Sequence, residues 1–254
     1  MKRAFLSLLL VGSIQTTAGA QLAPFLRDRF VAARVATGTD TIVVLKQEGD
    51  SAPQIVGLTI RTVAQRQSTT PLLYMAVRVL ADGKVVADDT VDMEAATLIP
   101  LRSVSHSAQS YDVAYDGLRV HGAAQGEGGT TRFVDGLSPR SFFDGGTVEA
   151  ILPAIAADPD SGIALVSLNP PATTPRVVAF RPAGRDSTRD EAGMARYTIY
   201  KRGAGDYLIS DDGRLIETRW TVGPALFRRV PLARLTATQQ TVARRLAAEW
   251  TRLP

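Results

Sequence analysis

Few residues in this chain have the types and spacing that chemistry requires. His106 lies in Val104–Ser107 (VSHS) and His121 in Val120–Gly122 (VHG), and these are its two histidines. A hydrolytic triad needs a histidine beside a nucleophile and a carboxylate. Ser103, Ser105 and Ser107 supply hydroxyls near His106, but no Gly-x-Ser-x-Gly elbow presents one of them. Histidines alone on strand-like runs usually serve the surface or the packing, so a hydrolase ranks third among the readings. Asp158-Pro-Asp160-Ser-Gly162 opens like a calcium loop, yet Asn169 stands at the twelfth position, where a bidentate Glu belongs. Asp88, Asp89, Asp92 and Glu94 read better as a solvated acidic hairpin than as a cation site. The glycines at 122, 126, 128 and 129 lack the Lys-Ser/Thr of a phosphate loop. The absence of cysteine excludes thiolate metal sites, disulfides and a cysteine-linked lipid anchor. These residues lead to no catalytic group, no metal and no cofactor, and the expectation is a protein that is not an enzyme.

The elements that would position any site are mostly strands. The chain has 254 residues, 45% apolar and 21% charged, enough for a core and too little charge for wholesale disorder. From Thr41 to Val230 short alternating runs are separated by turn residues, among them Ile55–Ala64, Tyr111–Tyr115, Val177–Arg181, Ala195–Lys201 and Arg214–Val222. Leu72–Leu80 (LLYMAVRVL) is apolar on both faces, as a covered central strand should be. Asp82-Gly83 before Lys84 is a hairpin signal. About a dozen such runs predict an antiparallel meander, with Asn169–Thr174 and Gly184–Gly193 as loops. Asp92–Arg102 and Ile209–Arg219 echo each other as two similar hairpins.

Helices are few in this reading. Leu22–Val35 could hold a short one, and Phe142–Ala157 another of about two turns, limited by Gly145-Gly146 and Pro153. The C-terminal segment is clearer. Thr236 and Gln239 have capping-box spacing, and Val242, Leu246 and Trp250 recur on one face. The fold class is therefore mainly β: an antiparallel half-barrel or curved meander with a few short helices and a C-terminal amphipathic helix.

The N-terminus reads as an export signal. Lys2-Arg3 precedes an apolar run from Ala4 to Ile14, and Ala18-Gly19-Ala20 fits a small-x-small cleavage site. The expected organisation is a signal peptide over 1–20, an N-terminal segment over 21–39, and one β-rich domain over 40–254 with its helix at 236–252. Cleavage after Ala20 implies a periplasmic or secreted product that does not span the membrane.

A curled meander leaves a concave apolar face, partly covered by Phe142–Ile155 and the C-terminal helix. Leu58, Ile60, Met75, Val77, Trp220 and Phe227 are the candidates to line it and meet an apolar ligand. A filled core is the competing reading for each of them. Charge suggests a second surface. From Arg214 to Pro254 eight arginines face two glutamates, a local +6 in a chain of net +4. Arg228, Arg229, Arg244 and Arg245 are the candidate contacts to an anionic or envelope partner. Nothing interleaves aromatic and basic residues as nucleic-acid binding would.

Several pieces in order carry a resemblance: Asp40–Val44 (DTIVV), Asp89–Met93 (DTVDM), Thr97–Arg102 (TLIPLR), Tyr111–Val113 (YDV), Phe143-Asp144, Ile151–Pro153 (ILP) and Tyr207–Ile216 (YLISDDGRLI). Over about Asp40 to Val230 the chain resembles uncharacterised bacterial envelope proteins with a fold like the outer-membrane lipoprotein carrier. The resemblance implies an open half-barrel with helices over its concave side, in the periplasm, where carrier members hold acyl chains. No motif maps to a carrier-specific partner contact, so lipoprotein transport itself is not implied. The expected function is binding of a lipid, a lipidated protein or another apolar ligand, with a filled-core interaction protein of the cell envelope as the alternative.

Overall fold

Fourteen strands hydrogen-bond into one antiparallel sheet in this computed structural model, which describes residues 35–66, 69, 71–96, 98–107, 110–116, 119–125, 129, 131–137, 148–155, 162–167 and 176–252. The first eight strands are β1 (Gly38–Glu48), β2 (Gln54–Arg66), β3 (Leu72–Ala81), β4 (Lys84–Glu94), β5 (Pro100–His106), β6 (Tyr111–Asp116), β7 (Arg119–Gln125) and β8 (Thr131–Leu137). Helix α1 (Val148–Ile155) follows, then β9 (Ile163–Ser167), β10 (Arg176–Asp190), β11 (Gly193–Arg202), β12 (Gly205–Ser210), β13 (Leu215–Val222) and β14 (Ala225–Pro231). A 3-10 turn at Leu232–Arg234 leads into α2 (Ala237–Trp250). The sheet order is β8 to β1 in sequence, then β14 back down to β9. Among the described residues the one pairing between strands distant in sequence is β1 against β14, so two meanders are joined at their outer strands.

The curvature follows from the core. Strands β4 and β9 are nine steps apart in that order, about 43 Å if the sheet were flat. Yet Val91 and Met93 of β4, Ile163 of β9 and Ile151 and Leu152 of α1 belong to one buried cluster. A helix of eight residues is only about 12 Å long. The sheet must therefore curl around α1, giving a barrel-like but open form in which β8 and β9 stay at opposite ends of the order. The mainly β, antiparallel, curved architecture with a C-terminal helix is as the sequence led us to expect.

Local sequence explains the joints. Asp82-Gly83 makes the two-residue turn between β3 and β4, with φ of +50° and +75° and Ala81 opposite Lys84. Both residues take the left-handed conformation of a type I′ turn, matched to the strand twist. The echo between Asp92–Arg102 and Ile209–Arg219 corresponds to two hairpins, each with a register irregularity, at Asp92/Met93 and Leu208/Ile209.

Three expectations need correction. The stretch 184–190 is not a loop but part of β10, because the register shift between Pro182 and Gly184 lets the chain rejoin β11 down to Asp190 opposite Gly193. Helix α1 has the expected length of about two turns but not the expected end, since Pro153 lies inside it and Ile155 closes it. The C-terminal helix does not cover the concave face: Ala243, Leu246, Ala247 and Trp250 of α2 pack with Val43, Leu45, Leu58 and Leu80 on the convex side. The expected helix over Leu22–Val35 falls almost wholly outside the described residues, as do the signal segment, the Asp158–Ser161 turn and the Asn169–Thr174 loop.

Candidate functional site

Alternation along the strands assigns each candidate to a face. Met75 and Val77 point into the concave core with α1 and are 0% and 3% exposed. Leu58 and Ile60 belong to the opposite parity of β2 and lie under α2 on the convex side. Trp220 and Phe227 face the concave side, because Trp220 is two residues from Thr218 and Phe227 two from Arg229, both of which reach Glu149 of α1. The six candidates therefore do not share one surface.

The interior is filled by α1. Seven of its eight residues are buried, and Ile151, Leu152 and Ala154 have no exposed surface. It is apolar nearly all round, so it gains stability by burial and not from its own short hydrogen-bond ladder. Its one charged residue, Glu149, is also buried. Glu149 accepts a hydrogen bond from Thr218 Oγ1 (3.2 Å) and sits 3.1 Å from Arg229 Nη2. Arg229 also donates to Thr59 Oγ1 (3.1 Å). These contacts tie α1 to β13, β14 and β2 at once.

Trp220 and Phe227 are cross-strand partners between β13 and β14 and stand outside the cluster around α1. Their rings stack at 5.4 Å with 13° between planes, and both remain half-buried. Lys46 of β1 is opposite Phe227, and Val222, 58% exposed, lies at the same hairpin end. This rim keeps a broad aromatic surface partly accessible. It is the part of the expected apolar site that α1 does not occupy.

A cleft of about 460 Å³ opens elsewhere beside α1, between Ala150, Pro153, Leu215, Pro231 and the Asp40–Arg61 pair. Arg61 donates from Nε (3.0 Å) and Nη2 (2.5 Å) to Asp40. Its charged neighbours in the cleft are also paired: Arg214 lies 2.8 Å from Asp212. Glu149, the remaining charge in its lining, is paired with Arg229, so each charged side chain there has an opposite partner.

The wing β4–β8 has a separate polar group on the concave face. Burial pushes the Asp89 carboxyl up, with Asp88 adding to the shift and the Ser105 hydroxyl and His106 opposing it. Burial likewise pushes the Tyr111 phenol up to about 12, and the Asp89 charge adds to it. Ser105 and His106 are neighbours on β5 and so face opposite sides of the sheet, which keeps that serine and that histidine apart. His121 is exposed. Among the described residues no cluster of three or more His, Asp or Glu could hold a metal ion.

The four arginines are dispersed. Arg228 grips Glu217 from Nε (2.7 Å) and Nη2 (2.5 Å) on the convex side, while Arg229 turns inward to Glu149. On α2, Arg244 donates to Gln240 (2.9 Å) and Arg245 lies 3.8 Å from Glu249. Sequence reasoning missed Glu149 and Glu217 as the buried partners. The only available signal was a lone acidic residue inside an otherwise apolar or arginine-bearing stretch.

No helix among the described residues is long and apolar enough to cross a membrane. No family model matches the sequence, and no curated protein matches it significantly. Among solved structures, the chain is similar to a beta-barrel-like protein of domain of unknown function DUF1849 from Brucella abortus, with 12% identity, a TM-score of 0.40, and coverage of 76% of this chain and 94% of that one. It is also similar to a "putative lipoprotein" from Parabacteroides distasonis, with 8% identity, a TM-score of 0.33, and coverage of 77% and 94%. Both likenesses concern the shape of the chain and do not reach its chemistry.

Proposed function

We propose that this is an exported, non-enzymatic protein of the cell envelope that binds an apolar or lipid-like group at the rim of its half-barrel. The observation behind this reading is the stacked, half-buried Trp220–Phe227 pair, which faces the concave side yet lies outside the core packed on α1. Aromatic rings left partly wet offer a large apolar area at low entropic cost. The carrier-like resemblance adds the class of ligand, an acyl chain, and the signal-like segment over 1–20 adds export to the periplasm. A second reading draws on α1 itself. With Met75, Val77, Ile151 and Leu152 sealed, the barrel would serve as a rigid scaffold for contacts with envelope partners.

Native mass spectrometry on protein exported through its own signal, before and after organic extraction, tests the first reading. The expected result is a removable adduct of lipid mass, weakened in Trp220→Ala. An unadorned mass in both samples, with no change in Trp220 emission on adding a fatty acid to a Trp250→Phe background, overturns it in favour of the scaffold.

A further inference from the structure

On the convex side, away from the Trp220–Phe227 rim, the far end of β10 and the start of α2 enclose a cleft of about 280 Å³. Four arginines line it, Arg189, Arg219, Arg228 and Arg234, against two carboxylates, Asp190 and Glu217. The carboxylates are already committed. Glu217, 5% exposed at its side chain, takes Arg219 Nε (2.5 Å) and both donors of Arg228. Asp190 accepts from the Ala192 amide (2.9 Å) through one oxygen and lies 2.8 Å from Arg234 Nη2 through the other. Arg234 is 11% exposed, and its buried Nε makes no hydrogen bond.

A surplus of guanidinium charge in a partly dry cleft carries a desolvation cost that an anion would relieve. Guanidinium forks match the oxygens of phosphate and carboxylate groups, and their charge-assisted bonds are the strong ones. We infer that this cleft binds a phosphate-class anion, held by Arg219 and Arg234 while Glu217 keeps Arg228 in place. The exposed arginines of α2, Arg244 and Arg245, do not line this cleft and find their partners within their own helix.

Pyrophosphate titrated by calorimetry into the full chain at low salt is the first arm of the test. Co-sedimentation with phosphatidylglycerol vesicles, against phosphatidylcholine vesicles, is the second. Saturable pyrophosphate binding that falls at least tenfold in Arg234→Gln and Arg219→Gln, and is unchanged in Arg244→Gln with Arg245→Gln, supports the inference. Vesicle binding with the same residue dependence identifies a lipid headgroup as the source, and pyrophosphate binding alone identifies a free anion. If the Arg234 variant does not fold, the partly exposed Arg219→Gln carries the prediction alone. Absence of binding in both arms, or equal loss in the Arg244/Arg245 variant, overturns it.

Discussion

The two α-helices among the described residues are built on opposite principles. Helix α2 carries its own instructions: Thr236 caps the Gln239 amide while the Gln239 side chain reaches back to the Thr236 amide, and one stripe of the helix covers the convex face. Helix α1 has eight residues, an internal proline and seven buried positions, too short to be stable alone. It exists because two meanders close around it, and they curl because it gives them a common core. Removing α2 should uncover one face of a formed sheet. Removing packing from α1 should unmake the curvature itself.

The contrast yields predictions of decreasing size. Leu152→Ala, at a fully buried position in the middle of α1, should cost about 3–4 kcal/mol in denaturant unfolding. Glu149→Ala leaves Arg229 buried without its carboxylate and should cost about 3 kcal/mol, with much of the loss recovered in a Glu149→Gln, Arg229→Gln double variant. On the wing β4–β8, at the edge of the core around α1, Tyr111 adds a pH effect. Its folded pKa, about 12, lies above the unfolded value of 10. The folded state therefore holds its proton longer, and stability should fall as pH rises from about 10 towards 12. Tyr111→Phe should flatten that part of the alkaline unfolding curve. Leu246→Ala, half-buried on α2, should cost only about 1–2 kcal/mol, and its loss should leave the near-UV signal of the barrel core in place. Smallest is Thr236→Ala, about 1 kcal/mol from the lost cap, read as a modest drop in thermal midpoint. A cost at Leu246 equal to that at Leu152 would break the distinction between the helices.

Strands were legible in the sequence wherever one face was polar, because a period of two is then visible. The β3–β4 hairpin was legible from Asp82-Gly83, and α2 from its cap and stripe. The side to which each strand face points was harder. Strand β3 is apolar on both faces, and the alternation of β2 does not say which side its apolar face meets, so Leu58 and Met75 look alike in sequence, although one lies beneath α2 and the other against α1. Parity is only relative until a partner fixes it. The long β10 was obscured because Gly184–Gly193 read as a loop, whereas the chain only shifts register between Pro182 and Gly184 and then continues as a strand. Charge clustering in sequence became a patch in space only in part: Arg219, Arg228 and Arg234 meet in one convex cleft, whereas Arg228 and Arg229 are adjacent residues on a strand and must point to opposite faces.

Amide hydrogen exchange resolved to single residues tests most directly whether α1 is the core of the barrel. The account predicts that the Leu152, Ala154 and Ile155 amides exchange as slowly as those of β1 and β2, through global unfolding, and more slowly than the last turn of α2. Exchange in α1 faster than in α2 would show a helix that opens on its own, and would contradict the filled interior.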